Sequence, residues 1–129
     1  MFDVEKNERV QSFRDLLVWQ KAMDLTTLIY RLTQDFLPSE AYGLTSQLRR
    51  SSVSIPSNIA EGQGRSNTRE FVQFLSIARG SNCELQTQLE IAQRLGLGSS
   101  VLLDQTVSLS HEVGKMMFSL IGKLKTKAG

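Results

Sequence analysis

Apolar residues recur along this chain at spacings of three and four, and no stretch sustains an alternation of two. That period places side chains on one face of an α-helix rather than on alternate faces of a strand. The first segment carries Val18, Ala22, Leu25, Ile29, Leu32 and Phe36 and is stopped by Pro38. The second is expected to begin near Ser39, a capping residue type, and to present Leu44, Leu48, Ser51, Ile55 and Ile59 before Gly62 and Gly64 end it. The third starts at Asn67, with Glu70 placed to complete a cap, and runs through Phe71, Leu75, Ala78, Asn82, Leu85, Leu89 and Ala92 to Gly96. The fourth starts at Ser99 or Ser100 and carries Leu102, Thr106, Leu109, Val113, Met116, Leu120 and Leu124. Four helices of roughly 18 to 28 residues with short connections predict an all-α, antiparallel up-down-up-down four-helix bundle. Its expected bounds are residues 12–125, with a flexible N-terminal tail at 1–11 and a short C-terminal tail at 126–129.

Two places interrupt the simple pattern. Pro56 falls inside the second helix, where it removes a backbone donor and presses on the Ser52 carbonyl. A kink is expected there, with Ser51, Ser52, Ser54 and Ser57 offering hydroxyls to the freed backbone groups. Gly80 in mid-helix costs about 1 kcal/mol relative to alanine, and the Gly80-Ser81 pair predicts close approach of a facing helix. The third helix also carries a second stripe, Phe74, Ile77, Ser81, Glu84, Gln88, Ile91 and Leu95, and the first adds Trp19, Met23, Thr26 and Tyr30 beside its seam. Two readings account for the doubled stripes: a wide seam packed on two neighbours within one bundle, or a subunit interface rich in aromatic and methionine anchors.

Composition narrows the chemistry. The chain has 129 residues, 40% hydrophobic and 22% charged, which is one domain and neither a disordered nor a linker-like composition. Its apolar runs are far shorter than the ~20 residues that cross a bilayer, and Met1 to Arg14 carries acids where a signal peptide is apolar, so a cytoplasmic location and no membrane partner are expected. One cysteine, Cys83, and one histidine, His111, leave no internal disulfide and too few soft ligands for an ordinary structural zinc. No metal, no cofactor and no catalytic residues are expected. The net charge is +2. Residues 1–61 hold seven basic and eight acidic side chains, whereas 62–129 hold eight and five, with Lys115, Lys123, Lys125 and Lys127 unopposed after Glu112.

The stretch Tyr42-Gly43-Leu44, then Gln47 through Arg49-Arg50-Ser51-Ser52-Val53-Ser54-Ile55-Pro56-Ser57-Asn58-Ile59-Ala60-Glu61-Gly62, resembles the signature of the bacterial 23S rRNA intervening-sequence proteins. Leu17 to Ala22, Phe74 to Ser81, Glu84-Leu85 and Gln88-Leu89 extend the likeness over about residues 12 to 124. Ser51-Ser52 departs from it, since alanines are more usual there. The resemblance implies a helical bundle that assembles as a homopentamer, with no enzymatic activity. The accessory proteins of diversity-generating retroelements look like distant relatives, and they bind nucleic acid and a partner reverse transcriptase through a basic pentamer surface.

Candidate functional residues fall into two groups. Arg49 and Arg50 point about 100° apart on one helix, so one faces the seam and the other faces out. An inward Arg50 paired with Glu61 or Glu84, beside Asn58, would form a polar network that sets register. Arg49, Arg65, Arg69, Lys115, Lys123 and Lys125 are candidates for contact with RNA or DNA phosphate. The Gly62-Gln63-Gly64 turn lacks the Gly-Lys-Ser/Thr ending of a P-loop, which argues against nucleotide hydrolysis. Ordinary solvated arginines near a cap, and lysines that complement the last helix's dipole, are the competing readings. A protein-binding adaptor without nucleic acid is the alternative function.

Overall fold

The computed structural model describes residues 12–128. Four α-helices make the body: α1 (Leu17–Gln34), α2 (Leu44–Gln63), α3 (Thr68–Leu95) and α4 (Ser100–Ala128), with single 3-10 turns at Phe13–Asp15 and Pro38–Glu40. Each helix packs on its two cyclic neighbours, α1 on α2 and α4, and α3 on α2 and α4, with no close backbone approach across either diagonal among the described residues. Cross-helix partners show the directions. Thr26 meets Ser52 and Thr33 meets Arg49; Ser54 meets Ser81 and Ser51 meets Gln88; Asn82 meets Ser110 and Lys21 meets Glu112. For α1 with α2 and for α2 with α3 the numbers run in opposite senses, and so they do for α1 with α4, where Gly98 lies against Leu32 and Phe36 and Glu112 against Lys21; the helices therefore alternate in direction.

The apolar periodicity fills the core as the first three seams predict. Leu25, Ile29, Leu32, Leu48, Ile55, Ile59, Leu75, Leu85 and Leu89 are fully buried. The fourth seam matches the expected one at Thr106, Val113, Leu120 and Leu124, which are buried, but at the other three positions Leu103, Ser110 and Met117 are buried in place of Leu102, Leu109 and Met116, which are only partly covered. Ser110 occupies a core position because its hydroxyl donates to the Val107 carbonyl and its own carbonyl accepts from the Asn82 amide at 2.9 Å. A reading that favours leucine over serine therefore slips by one residue.

Helix termini correct the sequence reading at three points. Ser39 caps nothing; it lies in the Pro38–Glu40 turn, and α2 begins only after Gly43, where the Glu40 carboxylate accepts from the Leu44 amide at 3.3 Å. At α3, Asn67 Oδ1 accepts from the Glu70 amide at 2.8 Å, but the Glu70 carboxylate takes its bond from the Asn67 side chain rather than from backbone. At the far end α4 continues through Ala128, so residues 126–128 are helix and not tail. The tail expected at 1–11 lies outside the described residues. Gly96 ends α3 with φ of 67°, the left-handed cap that a glycine adopts without strain.

Pro56 sits inside an unbroken α2. The carbonyl it deprives of a partner, that of Ser52, accepts a hydrogen bond at 2.9 Å from the Thr26 hydroxyl of α1. The nearby serines do other work: Ser52 donates to the Arg49 carbonyl, Ser51 to Gln88 Oε1 at 2.7 Å, and Ser54 shares a 2.8 Å bond with Ser81. Ser51 and Ser54 thus hold α2 to α3, and Gly62 extends that closeness, since a Cβ there would lie 2.7 Å from Phe74 Cβ. The mid-helix Gly80 has the opposite character. Among the described residues nothing outside its own helix backbone comes within 4 Å of its Cβ position, so no facing helix of its own bundle requires it.

Because Ser52 is fully buried, removing the Thr26 donor should leave an orphaned carbonyl. Thr26→Val is expected to cost about 1–3 kcal/mol in urea unfolding. In a Pro56→Ala background, which restores an intrahelical amide to Ser52, the same change should cost clearly less. Equal costs in both backgrounds would show that the hydroxyl does not serve that carbonyl.

Candidate nucleic-acid interface

The antiparallel topology brings the N-terminus of α1, the turn between α2 and α3, and the C-terminus of α4 to one end of the bundle. Arg14, Arg65, Arg69, Lys123, Lys125 and Lys127 gather there against Asp15, Glu61 and Glu70. The remaining described residues carry seven basic and seven acidic side chains. The net positive charge of the described chain therefore resides at one end. Two basic segments more than fifty residues apart in sequence become neighbours through the fold alone.

Within that end the arginines differ. Arg65 is held locally, with Nη2 2.7 Å from Glu61 Oε2, Nη1 3.9 Å from Glu70 Oε1 and its guanidinium over the Phe74 ring at 5.0 Å. Glu61 is thereby the partner of Arg65, not of Arg50. Arg69, Lys123 and Lys125 are exposed and make no ion pair or hydrogen bond with another described side chain. Lys115 is exposed too, two turns back along α4 from Lys123. Lys125 and Lys127 also lie in the last turn of α4, at the negative end of its dipole, which favours cations there.

Arg49 lies away from this end. It is half-buried between α1 and α2, where Nε donates to Thr33 Oγ1 at 2.9 Å and the guanidinium stacks over Tyr30 at 4.5 Å. The Thr33 hydroxyl in turn donates to the Ile29 carbonyl at 2.7 Å. Arg49 is thus the arginine of the pair that ties helices together, and Arg50 is the exposed one, the reverse of the expected assignment. The network of Arg50, Asn58, Glu61 and Glu84 does not form within the chain. Asn58 donates instead to the Ser54 carbonyl and hydroxyl, and Glu84 is exposed without a partner among the described residues. The sequence missed Thr26, Thr33, Gln88 and Ser110 as polar partners; only Pro56, which demands a donor for the carbonyl four residues back, signalled that one was needed.

Arg49 and Arg50, with Tyr30, Ala41, Thr45, Ser46 and Val53, line an open groove of about 440 Å³ between α1 and α2. Cys83 and His111 are both exposed, and no cluster of three or more His, Cys, Asp or Glu side chains able to hold a metal occurs among the described residues. No helix among them is long and apolar enough to cross a membrane.

Fold and surface together define a small antiparallel four-helix bundle, neutral along its length and basic at one end. The chain belongs to the 23S rRNA-intervening sequence protein family, whose model matches residues 14–119. Among solved structures it is similar to a protein of unknown function from the S23 ribosomal protein family of Bacteroides thetaiotaomicron VPI-5482. The two share 26% identity with a TM-score of 0.74, over 81% of this chain and 98% of that one. A comparison with curated proteins gives no match.

The different settings of Arg49 and Arg69 separate stability from surface chemistry. Arg49→Ala should lower the unfolding free energy by about 1–2 kcal/mol through the lost Thr33 bond and Tyr30 stacking. Arg69→Ala should stay within about 0.5 kcal/mol of the parent. Denaturant titrations of the two variants check this ordering, and a reversed order would contradict the geometry.

Proposed function

We propose that this chain is a non-enzymatic cytoplasmic protein that works as a homo-oligomer, in the form of a pentameric ring, and holds RNA or DNA by its phosphate backbone on the basic end. The observation that carries this reading is the convergence of the α3 N-terminal arginines with the α4 C-terminal lysines on one end of an otherwise neutral bundle. The helix dipole accounts for lysines at the end of α4, and two carboxylates account for Arg65. Neither accounts for both segments lying together. In a ring of five the net charge of that end, three per chain, is repeated about the axis as a continuous positive rim, which attracts a polyanion far more than one copy would. Arg69, Lys123, Lys125 and Lys127 would take the phosphates, with Lys115 at the margin.

Contacts of this kind are electrostatic and tolerant of sequence. With about four phosphates neutralised, affinity for a generic single-stranded RNA or duplex DNA should fall roughly 100-fold between about 50 and 200 mM salt. The triple variant K123E/K125E/K127E should lose that binding while keeping its helicity. Fluorescence anisotropy checks both. Absence of binding at low salt would overturn the nucleic-acid reading and leave a protein-binding scaffold, whose affinity for a partner would be nearly indifferent to salt.

The ring has its own measurement. Light scattering should return a mass of roughly 72 kDa, five times the 14.5 kDa chain. A mass near that of one chain would remove the oligomer and the repeated rim together.

A further inference from the structure

We propose that the outer stripe of α3 in one copy of this chain docks into the α1–α2 groove of the next copy, with Glu84 of the first meeting Arg50 of the second. The inference rests on the homo-oligomeric reading above and names the surfaces that would carry it.

Four observations converge. First, Arg50 and Glu84 are exposed charges with no ion pair or hydrogen bond among the described residues, whereas Arg49, Arg65, Arg94 and Lys21 each have a partner. Second, Glu84 stands midway between Ile77 and Ile91, seven residues to either side, so the three lie nearly in line along α3. Ile77 is 52% exposed and Ile91 44%, and Leu95 continues the line at 63%. One exposed isoleucine is ordinary; three large apolar side chains along one line of a helix, on either side of a carboxylate, suit a contact surface. Third, Gly80 lies one turn before Glu84 on the same outer side. It weakens the helix interior, and among the described residues nothing outside its own helix backbone comes within 4 Å of its Cβ position, which leaves open room there for a neighbouring molecule. Fourth, the α1–α2 groove has the complementary character. Val53 and Tyr30, each 41% exposed, give it apolar walls; the stacking of Arg49 on Tyr30 stiffens one wall, and Arg50 adds an unopposed positive charge.

The occupant that fits is a helix face bearing one carboxylate between apolar residues, which is the α3 stripe of a second copy. Groove and stripe sit on different helices, so each copy offers both surfaces, and a head-to-tail repeat of the contact would run from copy to copy until a ring closes. Ile77, Ile91, Val53 and Tyr30 would supply the apolar burial. The Arg50 to Glu84 pair would fix register and exclude a like-charged partner, since a rim pair adds more specificity than affinity.

A charge exchange tests this. R50E and E84R each place like charges across the proposed contact, and because neither side chain has a partner among the described residues, both variants should keep the parent's circular dichroism. Light scattering should show each single variant falling to the mass of one chain, and the double variant R50E/E84R regaining the assembled mass. Gly80→Leu, favourable for the isolated helix, should keep the fold and also block assembly. An assembled parent whose mass is unchanged by R50E and by E84R would overturn the proposed surfaces while leaving the oligomer intact. Single variants that dissociate without rescue in the double would overturn the Arg50 to Glu84 pairing. A parent with the mass of one chain would overturn both the oligomer and this contact.

Discussion

The bundle depends on how α2 accommodates Pro56. A proline in a buried helix leaves one carbonyl without its amide, and in this chain that carbonyl belongs to the fully buried Ser52. Water cannot reach it, so a neighbouring helix must supply the donor, and Thr26 does so from α1 at 2.9 Å. A hydrogen bond of that kind specifies register in a way that apolar packing does not, because a slip of one residue would leave the carbonyl unpaired. Thr33 repeats the device two turns along α1 by accepting from Arg49. Together these contacts set α1 against α2, and they leave the other side of α2 free for α3.

On that side small residues matter more than large ones. Ser51 and Ser54 exchange hydrogen bonds with Gln88 and Ser81, and Gly62 admits the Phe74 Cβ to a distance that any side chain would forbid. Serine in place of the more usual alanine at position 51 therefore has a local reason: its hydroxyl satisfies Gln88, which is 5% exposed. The α3 to α4 seam is less complete. Asn82 donates to the Ser110 carbonyl, but its Oδ1 is buried without a protein partner, next to a Gly114 that a Cβ would bring to 3.0 Å from the amide nitrogen.

Legibility in the sequence followed the physics of each signal. Helix number, helix faces and the Asn67 and Gly96 caps were readable because period, capping residue and left-handed glycine are local properties. The start of α2 was not, because Ser39 has the right chemistry but Pro38 directs the chain into a 3-10 turn, and the true cap, Gly43, has no side chain to announce it. The α4 face was misread at Leu102, Leu109 and Met116; at Leu109 the reason is that Ser110 earns its core position only through Asn82, a residue on another helix. The candidate site divides in the same way. That the second half of the chain is basic was plain from composition; that Arg69 and Lys123 share an end needed the topology. The exchange of roles between Arg49 and Arg50 turned on Thr33 and Tyr30, which no pattern within α2 reveals.

Inside the bundle, polar side chains are paired across helices: Thr26, Thr33, Ser51, Ser54, Gln88 and, through its amide, Asn82. Outside it, the pairing is uneven. Arg65 and Arg94 have carboxylates four residues away on their own stretch of chain, the inexpensive arrangement for a solvated helix. Arg50 and Glu84 have none, although a pairing along one helix required only an acid or a base one turn away. Gly80 shows the same mismatch in backbone terms, with its cost to the helix present and no close neighbour among the described residues to require it. A bundle that pairs most of its interior groups across helices, yet leaves these three unmatched on its surface, is consistent with the contact between copies proposed above. The basic end lies clear of both the groove and the Ile77 to Leu95 stripe, so assembly through those faces would repeat the positive charge without covering it.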